Sequence, residues 1–210
     1  MKITKFDHSC FYIEKDNRGL IFDPVEYTTK LPTITNLDCI IITHKHGDHF
    51  QPEVLAKLTT NNPNVKIFTT SDNTDAIDNS HVAKDGQTEN IGVFKLAFFG
   101  NNHAPVYKNE IPCENIGTVV DDVIVNPADS FDFPSGVKPK ILLTPISAPW
   151  LKLGEPAVYI ETNKPEFVVN AHDAILSELG LTIANNWISQ KSENVGANYK
   201  FLQASENLEI

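Results

Sequence analysis

The sequence contains little cysteine, and its three cysteines lie far apart along the chain. Cys10, Cys39 and Cys113 form no CxxC pair, which excludes a zinc ribbon or a dithiol redox motif. We expect them to be packing residues in a reducing compartment rather than functional thiols. The opening stretch MKITKFDHSCFYIE alternates like a strand and lacks the apolar core of a signal peptide, which predicts a cytoplasmic protein.

Positive charge and long apolar runs are also scarce. The chain has 17 basic and 27 acidic side chains, and its formal charge of −10 disfavours non-specific binding to nucleic acid or anionic membranes. It contains no apolar run of about 18 residues, so no membrane span is expected. The composition instead favours a small-molecule substrate as the partner.

Nothing in the sequence marks a domain boundary, since low-complexity linkers and short internal repeats are both lacking. With 210 residues, of which 41% are hydrophobic, the chain is predicted to form one domain over residues 1–210.

The first quarter of the chain reads as short strands joined by turns. The segments KITKFDH, CFYIEKD and GLIFDP predict a meander, with the turn between the last two placed on NRG. LDCIIIT is a continuous apolar run, as expected for a strand buried on both faces. PEVLAKLTT predicts a helix with Pro52 in its first turn. Further strands are predicted within VKIFTTS, HVAKDGQTENIGVFKLAFFGNNH, NIGTVVDDVIVNPADSF, KILLTPIS and FVVNAHD, an interrupted helical pattern around Ile175–Ile188, and a last short strand near YKFLQ.

The stretch CIIITHKHGDHF concentrates three of the seven histidines directly after the buried strand. His44 and His46 are two apart on extended backbone, so both imidazoles can face one point. Gly47 lets the chain turn so that Asp48 and His49 reach a second point nearby. Two neighbouring metal sites follow from this pattern. The alternative is a solvated histidine-rich loop, but a loop after a buried strand is a position where sites are built.

The H-x-H-x-D-H motif after a buried strand resembles the metallo-β-lactamase superfamily. DHSCFYIE…LIFDP and SAPWLKLGE resemble its small bacterial members related to ascorbate-6-phosphate lactonase. The resemblance implies an α/β fold, the four-layer αβ/βα sandwich, with two mixed sheets face to face and the metals at one edge.

The same resemblance implies a ligand set for two metal ions. His44, His46 and His103 would hold one ion, Asp48, His49 and His172 the other, and Asp129 would bridge them. Imidazole and carboxylate donors suit Zn²⁺, the predicted metal, although Mn²⁺ and Fe²⁺ accept the same donors. Paired ions polarise a carbonyl or phosphoryl oxygen and provide hydroxide at neutral pH. The predicted function is hydrolysis of a small ester, lactone or phosphoester by a metal-bound hydroxide.

Two alternatives belong to other classes of function. A metal-dependent binding or sensing protein would keep the ligands without turnover, which the complete ligand set argues against. A nuclease or phosphodiesterase is disfavoured by the acidic charge and by the lack of an inserted domain or basic exosite.

Asp48 and His8 are the candidate catalytic residues. His8 either forms a hydrogen bond to a ligand or substrate or is purely structural. Trp150, Lys152 and Tyr107 are candidate substrate contacts, although Trp150 could instead be a packing residue and Lys152 a solvated lysine.

Several further positions carry open or minor predictions. Asp23 either forms a hydrogen bond to a ligand histidine or stabilises a turn. Asp173 is expected to cap a helix, and His81 to lie on the surface. Asp7 and Ala128 both stand where the family usually has glycine.

Overall fold

The computed structural model describes residues 1–108 and 112–210, which contain two seven-stranded β-sheets. The strands are β1 Lys2–Lys5, β2 Phe11–Lys15, β3 Arg18–Phe22, β4 Leu37–Ile41, β5 Lys66–Thr69, β6 His81–Val82, β7 Thr88–Ile91, β8 Phe94–Phe99, β9 Gly117–Val120, β10 Ile124–Asn126, β11 Ile141–Pro145, β12 Phe167–Ala171, β13 Asn198–Lys200 and β14 Asn207–Glu209. The helices are α1 Pro52–Asn61, α2 Gly154–Asn163 and α3 Glu178–Asn194, and a 3₁₀ helix spans Ser71–Ala76.

The first sheet has the strand order β14-β1-β2-β3-β4-β5-β6. Its opening strands β1, β2 and β3 form the predicted antiparallel meander, and β3 through β6 are parallel. The turn between β2 and β3 lies on Asp16 and Asn17, with φ of 51° and 60°, because Lys15 pairs with Arg18. Gly19 lies inside β3, so the prediction that it forms part of this turn is wrong.

The second sheet has the order β13-β12-β11-β10-β9-β8-β7. Strands β7 to β10 are antiparallel neighbours, whereas β10 to β13 are parallel. As a result β8, β10, β11 and β12 all run in one direction, as do β1, β3 and β4 in the first sheet. The carboxyl ends of these strands therefore meet at one edge of each sheet.

Three apolar clusters produce four layers. The central cluster joins the inner faces of the two sheets, for example through Ile41 and Leu143. The outer face of the first sheet packs on α1 through Ile40 and Leu58, and that of the second sheet packs on α2 and α3 through Val168 and Ile188. Strand β4 contributes alternate residues to two clusters, which explains its unbroken apolar sequence. The four-layer αβ/βα sandwich is thus confirmed.

The helices agree only partly with the sequence predictions. Helix α1 begins at Pro52 as expected, whereas α2 was not predicted, because Gly154 and Pro156 in its first turn are poor helix signals. Helix α3 is capped by Ser177, whose side chain accepts a hydrogen bond from the Gly180 N–H. The expectation that Asp173 caps this helix is wrong.

Asp173 instead lies in the loop before α3 and fixes that loop to β1 of the first sheet and β12 of the second. Its carboxylate accepts hydrogen bonds from Lys5 at 2.9 Å and from Asn170 at 2.6 Å.

Over residues 1–108 and 112–210, no helix combines the length and the apolar character needed to cross a membrane.

Candidate metal centre

The seven metal donors suggested by the sequence lie together at the edge where the donor-bearing strands end. The first sheet provides the loop after β4, and the second sheet provides the residues after β8, β10 and β12. The clustered donor residues are His44, His46, Asp48, His49, His103, Asp129 and His172.

Their donor atoms form three overlapping groups, each with all atoms within 4.8 Å of one another. The groups are His44, His46 and His103; His44, His49 and Asp129; and His8, Asp48, His49 and His172. The first group consists of the three residues predicted to hold one metal ion. The third group contains the three residues predicted to hold the other ion, together with His8.

Four histidines are oriented by contacts to Nδ1. The Nδ1 of His49 lies 2.8 Å from Asp23 Oδ2, while the Nδ1 atoms of His103 and His172 lie 2.5 Å from the carbonyl oxygens of Ala104 and Ser147. In His44 the partner is the Thr43 hydroxyl at 3.1 Å, which itself donates to Asp23. Carbonyl and carboxylate oxygens only accept, so they place the proton on Nδ1 and leave the Nε2 lone pair free.

Those Nε2 atoms all lack a hydrogen-bond partner within the described part of the chain. The buried unpartnered atoms at this edge are Nε2 of His8, His44, His49, His103 and His172, and Oδ1 of Asp129. A buried polar atom without a partner costs about 1–3 kcal/mol, and so many in one place imply a missing partner. Converging imidazole lone pairs and a carboxylate oxygen fit divalent metal ions.

The electrostatics keep the carboxylates charged and the His44 imidazole neutral, whereas the carboxylates favour the charged form of His172. Burial opposes ionisation of Asp129, but His49 and His172 outweigh it and hold the pKa of Asp129 well below its usual range. Burial and the neighbouring His49 lower the pKa of His44. The pKa of His172 is raised to about 9, because Asp129 outweighs the effect of burial. Burial also opposes ionisation of Asp48, but His172 and His8 outweigh it and hold the pKa of Asp48 below its usual range, so two carboxylates supply negative charge where a cation would be held.

Four of the eleven described non-glycine residues with positive φ lie at or beside the donors. His8, Asp23, Ala128 and His172 have φ of 58°, 42°, 54° and 57°, in the left-handed region that non-glycine residues rarely adopt. Such strain persists where the surrounding structure imposes it, and it clusters at functional sites. The value at Ala128 explains why glycine is usual at this position.

Asp23 and Asp7 support the centre from behind. Asp23 is fully buried and contacts both His49 and the Thr43 backbone N–H. Of the two roles considered for it, the structure therefore shows the hydrogen bond to a candidate ligand histidine rather than the stabilisation of a turn. Asp7, like Ala128, stands where the family usually has glycine. Its carboxylate accepts hydrogen bonds at 2.8 Å from the N–H groups of Tyr27, Thr28 and Thr29.

A cavity of about 750 Å³ opens beside His103. Trp150 forms part of its wall, and the Trp150 indole N–H donates to Asp129 Oδ2 at 2.9 Å. Lys152 also lines this cavity. Tyr107 is 65% exposed and is not one of the described residues that line it.

Sequence reasoning missed two neighbours of the donors. Cys113 lies with Sγ 3.5 Å from His46 Nε2, and Thr43 contacts the rings of both His44 and His49. Thr43 could have been suspected from its place between the strand and the motif, but no local pattern relates Cys113 to His46. His81 is exposed, as predicted, and its ring packs on Phe68.

The fold and the centre define a class: an αβ/βα sandwich with a metal-binding cluster of histidines and aspartates at one edge. Residues 2–172 match the family described as the beta-lactamase superfamily domain. The chain belongs to this superfamily.

Three comparisons illustrate the relationship. Protein Rv0786c of Mycobacterium tuberculosis is 30% identical over 187 residues, which cover 84% of this chain and 86% of that protein. The UPF0173 metal-dependent hydrolase NEQ378 of Nanoarchaeum equitans is 46% identical over 50 residues, 24% of this chain and 20% of that protein. Igni18, described as a novel metallo hydrolase from Ignicoccus hospitalis, superposes with a TM-score of 0.74 at 22% identity, covering 100% of this chain and 98% of that one. At that identity the likeness to Igni18 concerns the fold.

Proposed function

We propose that the protein is a dinuclear metal-dependent hydrolase that acts on a small ester, lactone or phosphoester. The observation that carries the proposal is the set of buried, unpartnered imidazole nitrogens that converge with Asp129 Oδ1. Their orientation by contacts to Nδ1 is the arrangement expected of metal ligands. The name of NEQ378, a metal-dependent hydrolase, supports the same reaction class.

The proposed allocation of ligands follows the donor groups. His44, His46 and His103 would hold the first ion, and Asp48, His49 and His172 would hold the second. Asp129 would contribute to both positions, since its Oδ1 lies 3.3 Å from His49 Nε2, and its Oδ2 lies 3.3 Å from His103 Nε2 and 3.0 Å from His172 Nε2. Zinc is the proposed metal because imidazole-rich sites with carboxylates suit it.

When bound, such a pair of cations supplies Lewis-acid polarisation of the substrate and lowers the pKa of water. The chain's own residues keep the cluster rigid and shielded. Asp23 fixes the ring of His49, the carbonyl of Ser147 fixes that of His172, and the Trp150 indole N–H restrains Asp129.

The cavity beside His103 is the proposed substrate pocket. Trp150 would pack against the apolar part of the substrate, and Lys152 would attract a carboxylate or phosphate group. The likeness of SAPWLKLGE to relatives of a phosphorylated lactone hydrolase supports a compact substrate of this kind. The cytoplasmic location, the single domain and the absence of a nucleic-acid partner stay predictions.

The test uses protein reconstituted separately with Zn²⁺, Mn²⁺ and Fe²⁺ and a panel of lactones, carboxylic esters, phosphomonoesters and phosphodiesters. Turnover of at least one small substrate is expected, and it should vanish in Asp129→Asn and persist in Asp16→Asn, which changes an exposed carboxylate in the β2–β3 turn away from the cavity. A sensor would bind metal and ligands without turnover. Turnover confined to nucleic acids would favour a nuclease instead.

A further inference from the structure

His8 belongs to the donor cluster by distance but differs from the other histidines in how it is held. Its side chain is fully buried, and its ring centroid lies 3.9 Å from that of His172. The His172 N–H donates to the His8 carbonyl at 3.2 Å, and the Ala174 N–H donates to His8 Nδ1 at 3.2 Å. The segment after β12 therefore holds both the backbone and the ring of His8.

The contact at Nδ1 decides the tautomer of His8. A backbone N–H can only donate, so Nδ1 of His8 presents its lone pair, and the hydrogen of the neutral ring lies on Nε2. The rings of His49, His103 and His172 have the opposite arrangement, because an oxygen that only accepts lies beside each Nδ1.

The Nε2–H of His8 points into the centre. It lies 3.3 Å from Asp48 Oδ2, within reach of that carboxylate, although this contact lacks hydrogen-bond geometry and no other described residue forms a hydrogen bond with the nitrogen. A nitrogen that carries a hydrogen offers no lone pair to a metal ion. Proximity alone would count His8 as a fourth ligand beside Asp48, His49 and His172, but its tautomer argues against coordination.

We propose that His8 is the hydrogen-bond donor of the centre, a positioning residue that holds Asp48 through Oδ2 and does not bind metal. This inference rests on the proposed metal centre. In this role His8 orients Asp48, a proposed ligand whose side chain is otherwise half-exposed. Loss of such a supporting hydrogen bond typically lowers metal affinity by about 10–100-fold.

The first test is the tautomer, read from long-range ¹H–¹⁵N correlations of the histidine rings in zinc-loaded protein. His8, assigned by its absence in His8→Gln, should show a protonated Nε2, whereas His49, His103 and His172 should show protonated Nδ1. A His8 ring with a protonated Nδ1 and a zinc-shifted Nε2 would overturn the proposal.

The second test measures Zn²⁺ affinity by competition with a chromophoric chelator. His8→Asn suits the left-handed backbone at this position, but its amide is too short to reach Asp48. We expect it to bind two equivalents of zinc, with the weaker affinity reduced about 10–100-fold. His8→Gln, whose amide reaches further, should recover part of that loss.

Three results separate the alternatives. Loss of one whole zinc equivalent in both variants would make His8 a ligand, and unchanged affinity in His8→Asn would make it purely structural; either contradicts the inference. Failure to find any hydrolysed substrate would count against the proposed function alone, since neither readout depends on turnover.

Discussion

At the scale of single residues, Asp23 shows how one buried carboxylate organises several donors. Its oxygens accept hydrogen bonds from the backbone and the hydroxyl of Thr43, and Oδ2 faces His49 Nδ1. This arrangement determines which nitrogen of His49 is free, because the proton must lie between His49 and Asp23.

Asp23→Asn should weaken zinc binding by about 10–100-fold, since an amide cannot accept equally from His49 and both groups of Thr43. Chelator competition measures the change. Asp38→Asn, which removes a surface pair with Arg18, is the matched control and should leave zinc affinity unaltered. Equal affinities for the two variants would refute the role of Asp23.

Asp7 shows what replaces the expected glycine before His8. Burial opposes ionisation of this carboxyl, but hydrogen bonds from Thr29, Thr28 and Tyr27 outweigh it and lower the pKa of Asp7 below its ordinary value of 3.8. Its charged form is therefore stabilised by folding, and it connects residues 27–29 to the turn that carries His8.

Asp7→Asn should reduce the free energy of unfolding at neutral pH by about 1–3 kcal/mol. A lowered folded-state pKa contributes stability that is complete above the unfolded pKa and lost as pH falls through the folded one. The deficit should thus stay constant from about pH 8 to 5 and shrink below about pH 4. Urea denaturation across this range measures it, with Asp16→Asn in the exposed β2–β3 turn as the control. A deficit that grows towards low pH would contradict this account.

At the scale of elements, the turn after β10 determines where Asp129 lies. Asn126 Oδ1 accepts the Ala128 N–H at 3.0 Å, and Asn115 Oδ1 accepts the Asp129 N–H at 3.1 Å. These bonds hold Ala128 in its left-handed conformation, which costs roughly 1–2 kcal/mol for a residue with a Cβ atom.

Ala128→Val should destabilise the protein by about 2 kcal/mol or more, because a β-branched residue tolerates this conformation still less. Ala128→Gly should change stability by less than about 1 kcal/mol, since relief of strain and the greater entropy of unfolded glycine nearly cancel. Urea denaturation of the metal-free proteins compares them. Equal free energies of unfolding for Ala128→Val and Ala128→Gly would show that the left-handed backbone at this position is not strained.

Predictability differed between elements for physical reasons. β4 and α1 were foreseeable, because an unbroken apolar run and a proline-led amphipathic pattern are local signals. α2 was not, because Gly154 and Pro156 weaken its start and burial of Tyr159 and Ile160 against the second sheet stabilises it instead. Asp173 was misjudged because its carboxylate is bound by Lys5, a residue distant in sequence.

At the scale of the whole molecule, the centre joins the two sheets. The four donors of the H-x-H-x-D-H motif could be proposed from the residues themselves, whereas His103, Asp129 and His172 followed from the resemblance to the metallo-β-lactamase superfamily. Their orientations could not, since the Ser147 carbonyl beside His172, the indole of Trp150 on Asp129 and Cys113 beside His46 come from segments brought together only by folding.

Removal of metal should therefore lower the melting temperature, and added zinc should raise it in a concentration-dependent way. Each site contributes about 2.7 kcal/mol when free zinc is one hundred times its dissociation constant. His46→Ala should stay folded, bind less metal and show a smaller thermal shift. His81→Ala, which changes an exposed histidine outside the cluster, is the control. Full zinc content in His46→Ala would contradict its assignment as a ligand.

The backbones of the two sheets also meet directly beside the centre. The Ile116 N–H donates to the Thr43 carbonyl at 3.0 Å, and the His172 N–H donates to the His8 carbonyl at 3.2 Å. These two main-chain hydrogen bonds oppose sliding of one sheet over the other. Both amide hydrogens should therefore exchange with deuterium only when the sandwich opens as a unit. We therefore expect small displacements during a reaction to arise in the surrounding loops rather than between the two halves.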